Sequence, residues 1–211
     1  MTAVLRIVLA TQNAGKVREL AEPLAHAGVE VLGLDAFPEI GDIAETGLTF
    51  EENAYIKAAT VARHSGLLSV ADDSGLEVDA LGGAPGVYSA RYADDLPSLP
   101  GESRDARNMR KLLQELAGVP EARRTGRYVC CMTAVTPAGQ SLATRGVWEG
   151  RLLAEQRGHN GFGYDPLFLP DEYGGMRALA EVSQAEKNGI SHRGNALRVL
   201  KKALSQSVDE W

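Results

Sequence analysis

The chain has 211 residues and is 44% hydrophobic, which suits an ordinary globular protein of one domain or of two lobes sharing a core. Its net charge of −6 argues against a general nucleic-acid binder, which carries a basic field, but leaves room for a local basic pocket that takes a small anion. The only cysteines, Cys130 and Cys131, are adjacent in an apolar run, where a strand points neighbours to opposite faces; this argues against a disulfide framework and fits a reducing compartment. Met1 to Ala10 is too short and too interrupted for a secretory signal, and no apolar run approaches the ~20 residues of a membrane span. The expectation is a soluble cytoplasmic protein without a membrane partner.

Val4 to Ala10 is β-rich and apolar, so it reads as a buried strand. Thr11-Gln12-Asn13-Ala14-Gly15-Lys16 follows, and then a helical pattern through Leu20, Leu24 and Ala27, closed by Gly28. Strand, glycine-containing loop and helix in that order present backbone N–H groups to a phosphate, and Lys16 adds a point charge. This is not a Walker P-loop, because Ala10 and Val17 stand where that pattern needs glycine and Ser or Thr. A capped helix with an exposed lysine explains the same residues. Val29 to Leu34 resembles a second strand, and Phe37 to Gly47 a loop carrying Glu39, Asp42 and Glu45. Thr49-Phe50-Glu51-Glu52 is a capping-box pattern that opens a helix, with Phe50, Ala54, Ala58 and Val61 as its buried stripe. Asn53 and Lys57 lie one turn apart on a neighbouring face, either solvated or turned toward a site.

Leu67 to Ala71 leads into Asp72-Asp73-Ser74-Gly75, and Leu76-Glu77-Val78-Asp79 then alternates apolar and acidic. The expectation is strand, tight turn at Ser74-Gly75, strand, with both carboxylates held at the turn. Clustered carboxylates repel unless a cation lies among them, and magnesium is a hard cation suited to oxygen ligands. Asp-Asp-Ser-Gly is equally ordinary turn chemistry.

Gly82 to Gly86 is a loop nearly without side chains, open to close approach by another backbone or a partner chain. Asp94 to Ser103 is expected to be the longest exposed and most mobile loop, and Arg107 to Leu116 a helix. Arg127 to Thr136 and Gln140 to Leu153 form a hairpin around Pro137-Ala138-Gly139. In Gly158 to Pro166, glycines surround Phe162 and Tyr164; the loop either offers an aromatic face to a flat base or is anchored by two core aromatics. Glu181 to Lys187 reads as helical. Ser191 is the expected N-cap of a last helix whose apolar face is Leu197, Leu200 and Leu204, and Ser205 to Trp211 a loose tail. No linker divides the chain, so residues 1–211 are expected to form a single domain.

An anion-binding turn, an acidic stretch and a glycine-flanked aromatic loop followed by His192-Arg193 together describe a nucleoside phosphate site. In these segments, with Glu45-Thr46-Gly47 through Ala54, Ser89 through Tyr92 and Ser191 through Gly194, the sequence resembles the inosine triphosphate pyrophosphatase family in its bacterial branch. The resemblance runs from Ile7 to about Leu204. It implies a mixed α/β fold, a long twisted central sheet flanked by helices, with nucleotide in a cleft between two lobes. It also implies a magnesium-dependent homodimer that cleaves dITP, ITP or XTP to the monophosphate and pyrophosphate, with a small-molecule nucleoside triphosphate rather than a nucleic acid polymer as substrate.

Carried over by resemblance, Thr11, Gln12, Asn13, Ala14, Gly15 and Lys16 bind the triphosphate. Asp73 is proton acceptor and magnesium ligand, Glu45 the second metal carboxylate, and Ser74 a substrate contact. Phe162, Gly163, Tyr164, Asp165, Lys187, His192 and Arg193 hold base and phosphates, with Asn53, Lys57 and Asp72 as possible additions. Many relatives carry a further acid where this chain has Ala44. Rival readings are a nucleotide-sensing or RNA-binding protein without turnover, and a pyrophosphatase of different base specificity.

Overall fold

The computed structural model describes residues 5–25 and 29–206. Its strands are β1 (Arg6–Leu9), β2 (Glu30–Leu32), β3 (Leu68–Val78), β4 (Thr125–Val135), β5 (Ser141–Leu152) and β6 (Phe168–Pro170). The helices are α1 (Ala14–Ala25), α2 (Phe50–Ser65), α3 (Arg104–Glu115), α4 (Gln184–Ile190) and α5 (His192–Gln206), with short 3₁₀ turns between elements. The six strands form one sheet in the order β2-β1-β3-β4-β5-β6. It is mixed: β1 runs parallel to β2 and β3, whereas β5 and β6 are antiparallel. The β4–β5 hairpin closes as expected, with Thr136 N–H donating to the Gln140 carbonyl at 2.9 Å.

The chain divides into two compact units. The first takes in the described residues up to Asp73, Cys130–Gly146, and those from Arg193 onward; the second comprises Ser74–Val129 and Val147–His192. Long strands β3, β4 and β5 each contribute residues to both.

In the first unit, strand alternation builds two separate apolar layers. Ile7, Leu9, Leu68, Val70, Cys130, Met132 and Ala134 face Leu20 and Leu24 of α1 and Leu197, Leu200 and Leu204 of α5. Val8, Ala10, Ala71 and Val135 point the other way, onto Ala58, Val61 and Ala62 of α2. Cys130 and Cys131 are buried free thiols. In the second unit, Leu76 and Val78 pack with Met109, Leu112 and Leu116 of α3 and with Trp148, Leu167, Phe168 and Leu179.

The expected capping box at the start of α2 is present. Thr49 Oγ1 accepts from Glu52 N–H at 3.1 Å, and Glu52 Oε2 accepts from Thr49 N–H at 3.3 Å. Thr49→Ala is expected to lower stability by about 1 kcal/mol, read as a fall in the denaturation midpoint at unchanged slope.

Two expectations change, at Ser74-Gly75 and at the end of the last helix. There is no turn at Ser74-Gly75, since β3 runs unbroken from Leu68 to Val78 through both aspartates. The Gly82–Gly86 loop takes the close backbone approach expected of it from the chain's own β3, with Val78 N–H donating to the Ala84 carbonyl at 3.1 Å. The Asp94–Ser103 segment is exposed, as expected, and tied to α3. Asp94 accepts from Arg104 and Arg107, Asp95 from Lys111, and Glu102 from Arg110 at 2.7 Å. The last helix extends to Gln206, past the expected start of the tail, and residues 207–211 lie outside the described residues. The expected helix end at Ala27 and Gly28 also lies outside them.

Candidate active site

An unbroken β3 separates the paired aspartates by strand parity. Asp72 continues the Leu68, Val70 series and so points toward α1 and α5, whereas Asp73 continues the Ser69, Ala71 series toward α2. Their partners follow from this. Lys16, on the first turn of α1, reaches Asp72 Oδ2 at 3.0 Å, and Arg193, on the first turn of α5, reaches the same oxygen at 3.3 Å. Lys57 of α2 reaches Asp73 Oδ1 at 3.2 Å. The Lys57 ammonium also donates to Glu45 Oε1 at 2.7 Å.

Glu45 is brought there by a close approach at Gly47. The Gly47 N–H donates to Asn53 Oδ1 at 2.8 Å, and a Cβ at Gly47 would lie 2.6 Å from that of Glu52. Only glycine allows this segment to lie so close to the start of α2. Asn13 caps α1, its Oδ1 accepting from Lys16 N–H at 3.2 Å. Thr11 Oγ1 accepts from Asn13 N–H at 3.2 Å, so the Thr11–Lys16 segment is a rigid cap leading into the helix.

The electrostatics of the two aspartates diverge. Burial would raise the Asp72 carboxyl, but Lys16, Arg193 and Lys57 outweigh it and hold the group well below the usual carboxylate range. Asp73 is raised, by burial first of all, with Glu45 and Asp72 adding to it against the pull of Lys57 and Lys16. Lys57 is itself raised despite burial, by Asp73, Asp72 and Glu45. One ammonium thus serves a group of carboxylates, and Asp73 is left under-compensated. Asp73 Oδ2 is buried without a hydrogen-bond partner, as is Asn53 Nδ2. Buried polar atoms of this kind cost about 1–3 kcal/mol each, and a ligand or ordered water relieves the cost.

The second unit carries a different constellation. Asp165 Oδ2 accepts from Lys187 Nζ at 2.6 Å and from Phe162 N–H at 3.1 Å, and Oδ1 accepts from the Tyr128 hydroxyl at 3.2 Å. Burial pushes the Asp165 carboxyl up, and Lys187 opposes it. Gly161 lies against this pair, where a Cβ would collide with Asp165. Asp105, on the first turn of α3, accepts from Gly163 N–H at 2.7 Å. Successive amides of the glycine loop are therefore held by two carboxylates. Phe162 is 37% exposed, with the Lys187 ammonium 5.5 Å from its ring centroid. Tyr164 is different: it is buried, and its hydroxyl donates to the Ser89 carbonyl at 2.8 Å. Of the two aromatics, Phe162 is the available face and Tyr164 the core anchor. His192 is buried with its ring stacked on Tyr128 at 4.9 Å, and Ser74 is a half-buried strand residue.

A family model described as the Ham1 family matches residues 7–203. The chain belongs to this family. It is 60% identical over 194 residues to the dITP/XTP pyrophosphatase of Nitratidesulfovibrio vulgaris, covering 92% of this chain and 93% of that one. It is 46% identical over 214 residues to the protein of the same name from Bacillus cereus, covering 100% and 98%. Among solved structures, a HAM1 protein from Coxiella burnetii superposes with a TM-score of 0.85 at 40% identity, covering 96% of this chain and 100% of that one. The Staphylococcus aureus Ham1 protein gives a TM-score of 0.81 at 35% identity, covering 95% and 98%. The mixed α/β fold expected from the sequence is that of the family.

Of the expected site residues, the structure joins Lys16, Glu45, Asn53, Lys57, Asp72, Asp73 and Arg193 in the first unit. It joins Phe162, Gly163, Tyr164, Asp165, Lys187 and His192 in the second. Sequence reading missed Tyr128 and Asp105. A strand tyrosine and a first-turn aspartate are ordinary where they stand, and only three-dimensional proximity reveals what they hold.

Proposed function

We propose that this chain hydrolyses the triphosphates of non-canonical purines (dITP, ITP and XTP) to the monophosphate and pyrophosphate, removing non-standard nucleotides from the pool. The names of its relatives support this reading. The observation that carries it is the buried, unpartnered Asp73 Oδ2 in an under-compensated group with Glu45. We take the divalent cofactor to be magnesium, the working form to be a homodimer, and the compartment to be the cytoplasm. Among the described residues no helix is long and apolar enough to cross a membrane.

Among the described residues no group of three or more His, Cys, Asp or Glu side chains is placed to hold a metal ion. That fits magnesium, which usually takes one or two carboxylates and completes its shell with water and substrate phosphates. Glu45 and Asp73 are the carboxylates that would hold it; the ion supplies charge neutralisation to the polyphosphate and orients it for in-line displacement. Lys16 and the α1 N-terminus, fixed by Asn13, take the phosphates. Asp73 is placed to accept the proton of the attacking water. Asn53 Nδ2 donates to a phosphate or to that water. The exposed Phe162 ring is the face on which a flat base would stack.

A substrate panel tests the reading. Pyrophosphate release from dITP and XTP is expected to exceed release from ATP and GTP, and to vanish without a divalent cation. Equal rates on all four, or binding without turnover, would overturn it. Phe162→Ala is expected to raise KM roughly ten-fold or more with a smaller change in kcat, from loss of a stacking contact worth ~1–3 kcal/mol.

A further inference from the structure

The position of Lys57 has a consequence for metal loading. Its ammonium donates to Glu45 Oε1 at 2.7 Å and to Asp73 Oδ1 at 3.2 Å, and so it spans the two carboxylates assigned to the metal. Its side chain is 11% exposed, and that of Asp73 is 9% exposed, which places the contact largely out of water. α2 fixes the lysine through Ala54, Ala58 and Val61, all fully buried, and Glu45 is fixed through the Gly47–Asn53 contact.

We propose that Lys57 is a built-in competitor for the metal: its ammonium, on Asp73 Oδ1 and Glu45 Oε1, and a divalent cation contend for the same two carboxylates, and metal binding displaces the ammonium. A divalent cation entering at the unpartnered Asp73 Oδ2 meets strong like-charge repulsion from an ammonium that already bridges the two carboxylates. Displacement is feasible because lysine has a flexible four-carbon stem and a point charge that can be re-aimed. Before the metal binds, Lys57 keeps Glu45 and Asp73 from repelling each other. Afterwards its charge is released for another acceptor, of which the phosphates of a bound substrate are the natural choice. Lys57 therefore lowers metal affinity in the substrate-free protein, where a simple ligand-supporting residue would raise it.

This inference rests on Glu45 and Asp73 as metal carboxylates, and its test separates the two ideas. Mn2+ binding to the substrate-free protein is measured by electron paramagnetic resonance for wild type, Lys57→Met and Lys57→Arg. Removing the competing charge in Lys57→Met is expected to tighten Mn2+ binding about ten-fold or more. Lys57→Arg keeps the charge and is expected to stay within about three-fold of wild type. Lys57→Met binding no tighter than wild type overturns the competition while leaving the metal site standing. Absence of Mn2+ binding in all three proteins overturns both.

A second arm reads the ammonium itself in the unaltered protein. The ¹⁵N-lysine ammonium resonance of Lys57, assigned by its loss in Lys57→Arg, is expected to move on Mg2+ titration without nucleotide. A resonance unmoved at saturating Mg2+ overturns the displacement.

Discussion

Asp73→Asn is expected to lower turnover of dITP by about 10³-fold, within the range of 10²–10⁴ typical of losing a general base, while leaving the protein folded. An amide has nearly the shape of the carboxylate but cannot take up a proton or carry charge to a metal. The fold survives because Asp73 belongs to a group with more carboxylates than facing ammonium, where burial and the neighbouring Glu45 and Asp72 already disfavour its charge. The thermal midpoint is therefore expected to hold or rise. Pyrophosphate release and a melting curve on the same preparation check both halves.

Glu45→Gln separates base from ligand. It is expected to raise the magnesium concentration needed for half-maximal rate, with much of kcat restored at saturation, because it removes a metal carboxylate but leaves the proton acceptor. Near-normal turnover in Asp73→Asn removes Asp73 as the base.

How far the site was legible in the sequence is clear from these residues. Composition and period gave β1, β2, β4 and β5, the α2 capping box and the apolar faces of α1 and α5, because burial and capping act over a few residues. The Asp72-Asp73 pair stood out, but its geometry was misjudged. Asp-Asp-Ser-Gly has turn composition, yet it stays extended inside β3, a strand that pairs with β1 at Leu68–Val70 and neighbours β4. That difference matters, because a turn would hold both carboxylates together, whereas a strand sends them to opposite faces and gives them opposite proton affinities. Lys57 was visible only as a neighbour of Asn53 on a helix face. Its bridge to Glu45 spans twelve positions, and one to Asp73 sixteen, distances that no helical or strand period encodes. The split between Phe162 and Tyr164 was also closed to sequence, since only the Ser89 carbonyl decides which ring is anchored.

Asp72→Asn is expected to lose about 3–5 kcal/mol of stability, the cost of stranding buried cations by removing their shared partner. Lys16 and Arg193 converge on Asp72 Oδ2, and both the Asp72 and Arg193 side chains are almost wholly buried. An amide in that place cannot neutralise either cation. The acid limb of stability identifies the cause. The folded carboxyl is held below its ordinary value, so the ion contacts contribute fully above the unfolded pKa of about 3.9 and are lost as pH falls through and below it. Asn takes up no proton there, so the gap in stability between wild type and variant is expected to narrow as pH drops from about 5 toward 2. Denaturation midpoints measured across that range decide between two explanations. A gap that stays constant with pH assigns the loss to packing around the amide. A gap that closes assigns it to the charge that orients Lys16 and Arg193, and then the variant's loss of turnover at neutral pH follows from phosphate-binding cations left without their anchor.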